Sequence, residues 1–286
     1  MDIQRVGVVG CGLMGAGIAE ASARAGLDVR VVDLDEATLE RGRQRVARSL
    51  ARAEKGGKLT GDQAKTALER IRYSADVNTL ADRQIVIEAV VEAENEKVVV
   101  FQSLDKVVED PGAVLASNTS SIPIMKLAMA TSRPSQVIGI HFFNPVPVLP
   151  LVELVTSLLT SDETAATAHH FATAQLGKQA IRSQDRAGFI VNALLIPYIL
   201  SAVRMLESGF ATADDIDLGM VKGCAHPMGP LHLADLIGLD TTTAVANSLY
   251  EEFKEPLYAP PPLLARMVEA GLLGRKSGRG FYNYES

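Results

Sequence analysis

The first half of the chain alternates between short apolar runs and longer stretches with helical spacing. Runs rich in valine and isoleucine predict buried strands at residues 6–9, 29–32, 85–87 and 114–116. The stretches between them predict helices at about residues 14–25, 36–54, 63–71 and 94–107. This alternation is typical of a parallel sheet with helices on both faces, so the pattern predicts a doubly wound α/β fold.

The pattern changes in the middle of the chain. Two apolar runs, 137–143 and 149–155, flank a proline-rich turn, and residues 178–182 predict a last strand. Between these strands, Thr160 and Glu163 have the spacing of a capping box and predict the start of a helix.

Only helical stretches follow Gly188, and clusters of glycine and proline interrupt them. We therefore predict a domain boundary near residues 185–188. The expected organisation is an α/β domain over residues 1–186, with a helical hairpin at about 36–71, and an all-helical domain over residues 187–286.

Composition and charge exclude several classes of protein. The 286 residues are 47% apolar and 22% charged, which is typical of a folded chain and not of a disordered one. The formal charge is −6, so non-specific nucleic-acid binding is not expected, and an anionic ligand would need a local basic patch. The 2 cysteines, Cys11 and Cys224, are too few for a disulfide framework and fit a reducing compartment.

No stretch of the sequence is typical of a targeting signal or a membrane span. The apolar run at residues 6–19 contains five glycines and follows no basic segment. The apolar stretch at 187–203 is interrupted by Asn192 and Pro197, and it is shorter than the about 20 residues that a span needs. We expect a buried helix there and a cytoplasmic protein without membrane contact.

A glycine-rich motif follows the first predicted strand. Its GxGxxG pattern is formed by Gly10, Cys11, Gly12, Leu13, Met14 and Gly15. Gly10 permits a tight turn, Gly12 lets the backbone approach a pyrophosphate, and Gly15 lets the helix pack on the strand. The second predicted strand ends at Asp33, about 20 positions further on, where dinucleotide-binding folds carry an acidic ribose ligand. Together these features predict a Rossmann-type domain.

Asp33 also favours NAD over NADP as the cofactor. A carboxylate accepts hydrogen bonds from both ribose hydroxyls and repels a 2′-phosphate. Leu34 and Asp35 follow Asp33, so no arginine stands next to it in the sequence to receive that phosphate.

One face of the helix predicted after Asp35 is basic. At 100° per residue, five cations fall on one side of this helix: Arg41, Arg45, Arg48, Arg52 and Lys55. Lys58 follows shortly after them. The stripe is either a solvated face or a binding surface for a polyanionic ligand such as coenzyme A, which carries three phosphates.

Polar residues interrupt the apolar elements that follow. Ser117–Ser121 comes directly after a predicted strand, where a doubly wound sheet binds its ligands. His141 and Glu153 lie in the two strands around the proline-rich turn, and Asn192 lies in an apolar helix. A histidine, a carboxylate and an amide near a nucleotide site are candidates for proton transfer.

The chain resembles the 3-hydroxyacyl-CoA dehydrogenase family, and within it the stand-alone bacterial enzymes that act on 3-hydroxybutyryl-CoA. The matching segments cover nearly the whole chain in order: 8–15, 87–92, 117–121, 141–147, 151–153, 188–192, 227–230, 236–241 and 274–284. The resemblance implies an NAD-dependent oxidation of the 3-hydroxyl of a short acyl-CoA. It also implies a homodimer that forms through the helical domain, which completes the substrate site.

The resemblance implies a role for each polar residue. His141 matches the catalytic base and Glu153 its carboxylate partner, and Ser120 and Asn192 match the residues that hold the substrate oxygen. A neutral histidine can accept the hydroxyl proton near pH 7. The matched cofactor contacts are Glu92, Lys97, Ser120, Asn144 and Lys276. The substrate contacts expected from the match and from the stripe are Ser49, Ser120, Arg52, Lys55 and Lys58; the register of the family's lysine within 55–58 stays open.

The spacing of the proline-rich turn makes a geometric prediction. His141 and Glu153 stand at equal distances on either side of Pro147. If the chain folds back symmetrically there, the two residues face each other with their Cβ atoms about 4.5–5.5 Å apart, within reach of a hydrogen bond.

Two alternative functions remain open at this point. One is an NAD-dependent dehydrogenase of a 3-hydroxy acid that is not joined to coenzyme A, which the basic stripe disfavours. The other is a non-catalytic, crystallin-like relative, which the intact catalytic set disfavours. The spacing of the remaining histidines is not typical of a metal site, and they are expected to be structural or exposed: His169, His170, His226 and His232.

Overall fold

The computed structural model describes residues 2–284. The chain divides into two compact units between Arg186 and Ala187.

The first unit is built on one sheet. Its strands are β1 (Arg5–Val9), β2 (Asp28–Val32), β3 (Ile71–Ser74), β4 (Ile85–Glu88), β5 (Val114–Ser117), β6 (Val137–Phe142), β7 (Leu151–Thr156) and β8 (Gln179–Gln184). They lie in the order β3-β2-β1-β4-β5-β6-β7-β8, and the β6–β7 pair is antiparallel while the other pairs are parallel. The carboxyl ends of β1, β2, β4 and β5 therefore share one edge.

Helices cover this sheet. They are α1 (Leu13–Arg24), α2 (Glu36–Lys55), α3 (Gly61–Glu69), α4 (Glu94–Val107), α5 (Ile124–Ala128) and α6 (Asp162–His170), the last continued by a π-helical turn at Phe171–Gln175. The inner strands β1, β4 and β5 are buried almost throughout, which explains their continuous apolar runs. The doubly wound α/β fold predicted from the sequence is confirmed.

Two local predictions are wrong. The helix predicted at 63–71 ends at Glu69, and the unpredicted edge strand β3 follows it. The N-cap of α6 is Ser161 and not the predicted Thr160, because the hydroxyl of Ser161 accepts from the amide of Thr164. The Thr160 hydroxyl instead donates to the carbonyl of Val137 at 2.7 Å.

The turn between β6 and β7 is tied to its surroundings. It contains a cis peptide bond at Asn144-Pro145. The ammonium group of Lys178 donates to the carbonyls of Val146 and Leu149, at 2.5 and 2.7 Å. A Cβ at Gly17 of α1 would lie 2.9 Å from the Cβ of Val146, so glycine at this position lets the turn seat on the helix.

The second unit is helical. Its helices are α7 (Val191–Glu207), α8 (Ala213–Gly223), α9 (Pro230–Ile237), α10 (Leu239–Phe253) and α11 (Pro262–Glu269). Buried side chains of α7, such as Ile199 and Leu200, form the centre of a separate apolar core. Within residues 2–284, no helix is both long and apolar enough to cross a membrane.

Candidate active site

The glycine-rich motif forms a tight turn between β1 and α1. Gly10 has a φ of +96°, and a Cβ there would lie 2.6 Å from the carbonyl oxygen of Ala89. A Cβ at Gly15 would lie 1.8 Å from the carbonyl oxygen of Gly10. In contrast, nothing lies within 4 Å of the Cβ position of Gly12. Packing therefore requires Gly10 and Gly15, whereas Gly12 borders open space in which a ligand can approach the backbone.

The carboxylate of Asp33 is held against this turn. One oxygen accepts from the amide of Cys11 at 2.6 Å and the other from the amide of Leu34 at 2.7 Å. Arg45 of α2 donates to the carbonyl of Cys11 at 3.2 Å. The contact joins residues 34 positions apart, so the sequence did not predict it. It places a cation of the basic stripe beside the glycine-rich turn.

Glu92 organises the serine-rich loop that follows β5. Its Oε1 accepts from the amides of Ser120 and Ser121 at 2.9 and 3.1 Å, and from the hydroxyl of Thr119 at 2.5 Å. Burial raises the pKa of Glu92, but the Lys97 ammonium and these hydrogen bonds outweigh it, and the net effect lowers that pKa. The carboxylate therefore stays ionised and fixes the position of Ser120.

Lys97, a predicted cofactor contact, lies almost entirely inside the protein. Its side chain is 1% exposed, and its ammonium group contacts Glu88 at 2.6 Å and Glu92 at 3.2 Å. Glu92, its partner in the second ion pair, is more accessible to solvent, with 33% of its side chain exposed.

His141 and Glu153 face each other across the antiparallel β6–β7 pair. The Nδ1 atom of His141 lies 2.7 Å from Oε2 of Glu153. Glu153 is fully buried and the His141 side chain is 8% exposed, with the ring of Phe143 beside it at 4.7 Å between centroids. The predicted pairing is confirmed, with Nδ1 as the ring nitrogen that engages the carboxylate.

A cleft of about 240 Å³ lies between α1, α2 and the turn after β6. Its polar lining consists of Glu20, Arg45, Arg48, Ser49, Arg52 and Asn144. The structure thus brings together two predicted substrate contacts, Ser49 and Arg52, with two predicted cofactor contacts, Leu13 of the glycine-rich motif and Asn144. Lys55 and Lys58 are exposed and lie outside the lining of the cleft.

Glu20 is a cleft residue that sequence reasoning missed. Its side chain is 1% exposed. Burial raises its pKa, while a hydrogen bond from Ser49 and the charge of Arg24 act in the opposite direction. The available signal was an acidic residue within the apolar stretch of α1.

The remaining predicted residues belong to the second unit. Asn192 is half-buried in the first turn of α7. Lys276 follows α11, and its ammonium group contacts both oxygens of Asp240, at 2.5 and 2.6 Å.

Three of the other four histidines pair within their own units. His170 contacts Asp2 and His232 contacts Asp217, at 2.7 and 2.6 Å, and His226 contacts Tyr198 at 3.1 Å. In the described part of the chain, no three or more His, Cys, Asp or Glu side chains are grouped as metal ligands.

The doubly wound sheet, the glycine-rich turn and the acidic residue at the end of β2 define a dinucleotide-dependent oxidoreductase. Residues 5–186 match the family described as 3-hydroxyacyl-CoA dehydrogenase, NAD binding domain, and residues 188–284 match its C-terminal domain. The chain belongs to the 3-hydroxyacyl-CoA dehydrogenase family, as its resemblance implied.

Individual relatives agree with this assignment. The chain is 61% identical over 282 residues to a 3-hydroxybutyryl-CoA dehydrogenase of Mycobacterium tuberculosis, covering 99% of each chain. It is 39% identical over 290 residues to the human mitochondrial hydroxyacyl-coenzyme A dehydrogenase, covering 99% of this chain and 92% of the relative. The crystal structure of M. tuberculosis FadB2 superimposes with a TM-score of 0.99 at 60% identity, and that of (S)-3-hydroxybutyryl-CoA dehydrogenase PaaH1 from Ralstonia eutropha with 0.94 at 48%; both comparisons cover 100% of each chain.

Proposed function

We propose that this protein catalyses the reversible, NAD-dependent oxidation of 3-hydroxybutyryl-CoA to acetoacetyl-CoA. The observation that carries the proposal is the buried His141–Glu153 pair, whose side chains lie 2.7 Å apart. Strand β6, which carries His141, lies beside β5, and β5 leads into the serine-rich loop that Glu92 holds. A base and a fixed donor loop at a nucleotide-binding sheet suit the removal of a proton and a hydride from a secondary alcohol.

The cofactor proposal rests on the residues at the carboxyl edge of the sheet. NAD, when bound, supplies the hydride acceptor. Gly12 and the start of α1 suit its pyrophosphate, and the carboxylate of Asp33 suits the ribose hydroxyls. Exposed apolar side chains border this edge and suit a flat base: Leu13, Leu34 and Val91. Further proposed contacts are Met14, Glu92, Lys97, Asn144 and Lys276.

His141 is the proposed proton acceptor. Its Nδ1 engages Glu153, which fixes the tautomer and presents Nε2 as the basic nitrogen. When the ring takes the hydroxyl proton, the buried carboxylate stabilises the imidazolium that forms. Ser120, held through its amide by Glu92, is proposed to donate to the oxygen at C3. The same role for Asn192 rests on the family resemblance.

The substrate proposal places coenzyme A on α2. Ser49 and Arg52 line the cleft beside α1, and Arg45 and Arg48 add positive charge to the same wall. Lys55 and Lys58, at and beyond the end of α2, are exposed and suit the outer phosphates.

We further propose a cytoplasmic homodimer. Both cysteines are free thiols, as a reducing compartment requires.

Turnover of acetoacetyl-CoA tests the proposal. We expect rapid loss of NADH absorbance with acetoacetyl-CoA, a much lower kcat/KM with free acetoacetate, and a lower kcat/KM with NADPH than with NADH. A preference for free acetoacetate would favour the enzyme of a non-CoA acid, and inactivity with every substrate would favour a non-catalytic relative.

A further inference from the structure

A fully buried carboxylate that the proposed chemistry does not use lies between the two loops of the site. Glu88 is the last residue of β4, and its side chain is 0% exposed. In the sheet register it stands between Val9 of β1 and Ser117 of β5. One neighbour leads directly into the glycine-rich turn and the other into the serine-rich loop.

The Glu88 carboxylate contacts the segment that follows β4, the ammonium group of Lys97 and the serine that leads into the serine-rich loop. Oε1 accepts from the Lys97 ammonium at 2.6 Å and from the amide of Val90 at 2.7 Å. Oε2 accepts from the hydroxyl of Ser117 at 2.6 Å. The same serine oxygen accepts from the amide of Thr119 at 3.1 Å, at the start of the serine-rich loop.

The contact with Lys97 extends this support to Glu92. Lys97 bridges the two carboxylates, at 2.6 Å from Glu88 and 3.2 Å from Glu92. Glu92 in turn accepts from the amides of Ser120 and Ser121. The serine-rich loop is therefore held at its start through Ser117 and at its centre through Glu92, and both routes begin at Glu88.

The connection to the glycine-rich turn runs through the backbone. The amide of Ala89 donates to the carbonyl of Val9 at 2.7 Å. The segment after Glu88 also lies so close to Gly10 that a Cβ there would clash with the carbonyl of Ala89. A displacement of Glu88 would therefore move both the glycine-rich turn and the serine-rich loop.

We propose that Glu88 is a positioning residue of the reaction, which holds the proposed cofactor ligand Glu92 and the proposed oxygen donor Ser120 in register through Lys97 and Ser117. This inference rests on the proposed function. A buried carboxylate with charge-assisted partners is suited to this task, because low dielectric strengthens each of its contacts and no water competes for them.

The substitution Glu88→Gln tests the proposal with minimal change of shape. The amide keeps the size of the side chain but removes the charge that binds Lys97. We expect kcat with acetoacetyl-CoA to fall by on the order of 10–100-fold, because small displacements of reacting groups are costly. The KM for NADH should rise as well, because Glu92 is a proposed cofactor contact held through Lys97. In the ligand-free protein, hydrogen exchange of residues 117–122 should become faster.

The control is Asp105→Asn, an equivalent change in the same unit. The carboxylate of Asp105 accepts from the amide of Ser132 and from the guanidinium of Arg133, at 2.8 and 3.1 Å. These partners do not belong to the serine-rich loop. We expect a lower Tm with kcat within about twofold of the wild type and unchanged exchange at 117–122.

Two further variants separate positioning from a general loss of structure. Ser117→Ala removes only the contact of Glu88 with the start of the serine-rich loop. Hydrogen exchange at residues 117–122 should again become faster, with a smaller loss of kcat than in Glu88→Gln. This variant keeps the test possible if Glu88→Gln folds poorly. The double variant Glu88→Gln with Glu92→Gln should lose less than the product of the two single losses, because Glu88 acts through Glu92.

The outcomes that overturn the proposal differ from those that overturn the proposed function. Wild-type kcat in Glu88→Gln, or unchanged exchange at residues 117–122, would remove the positioning role while leaving the dehydrogenase proposal intact. Fully multiplicative losses in the double variant would also contradict it. Absence of turnover in the wild type would concern the proposed function alone, since the exchange measurement needs no substrate.

Discussion

Glu153 is a single residue whose surroundings determine its proposed role. It is fully buried on β7, and its carboxylate meets the imidazole of His141 at 2.7 Å. We expect Glu153→Gln to lower kcat by on the order of 10²–10⁴, because the amide cannot stabilise the imidazolium by charge. Combined with an apolar substitution of His141, the two losses should not multiply, because the residues act as one unit. Steady-state kinetics of both single variants and the double variant measures this, and multiplicative losses would contradict it.

Cys11 shows the opposite case, a potentially reactive residue that burial makes inert. It lies inside the glycine-rich motif, and burial, followed by the nearby charge of Asp33, raises its pKa to about 11. Because the thiolate is the nucleophile and a raised pKa makes it rare below pH 11, Cys11 should resist alkylation near pH 8. Exposed Cys224 should react. Thiol titration should detect one group in the native protein and two after unfolding; two fast groups in the native protein would contradict this.

The helix α2 joins two functions along its length. Its buried face packs on the unit through Leu39, Val46 and Leu50, while Arg45 reaches the glycine-rich turn and Arg52 lines the cleft. Arg45 therefore contacts the glycine-rich turn and also lines the cleft, so the basic stripe extends from this turn to the proposed phosphate contacts.

Charge reversal on α2 tests the proposed phosphate contacts. Arg52→Glu should raise KM for acetoacetyl-CoA and leave KM for NADH nearly unchanged. Added salt should raise the substrate KM of the wild type too, because exposed charges are screened over about 10 Å at 0.1 M. Lys65→Glu, a charge reversal at an exposed lysine of α3, is the control and should change neither constant. A substrate KM that ignores both Arg52→Glu and salt would make the stripe a solvated face.

Among the elements, the sequence predicts the helices and strands whose apolar residues recur with a regular period. It misses features that depend on contacts with segments distant in the chain. The inner strands appear as apolar runs, whereas β3 is an edge strand in which only Ile71 is buried, so its pattern is weak. Gly42 in the middle of α2 gave no signal either. A Cβ there would lie 1.8 Å from the sulfur of Cys11, so its reason exists only once the two segments meet.

The same limit applies to the candidate site. The glycine-rich motif, Asp33, the basic stripe and the His141–Glu153 pair follow from motif, periodicity and spacing, and the family resemblance supplied the remaining predicted roles. Glu88 and Glu20 were missed because each is a lone acid in an apolar run, and only the folded sheet and cleft give them partners.

At the scale of the whole molecule, the helical unit carries exposed apolar side chains that a second copy could cover. Leu194, Phe210 and Leu218 are 73%, 79% and 56% exposed. Apolar side chains that remain open to water mark candidate interfaces. We expect a homodimer by light scattering at micromolar concentration, with much of its interface after residue 188. A monomer at that concentration would contradict this prediction.

His141, held by Glu153, is the proposed carrier of the proton in the reaction. The most direct measurement is kcat of a His141→Ala variant with acetoacetyl-CoA and NADH, accompanied by the Kd of NADH. We predict that kcat falls by on the order of 10²–10⁴ while NADH binds as in the wild type, because only the acid–base group is removed. A His141→Ala variant with undiminished kcat would contradict the account.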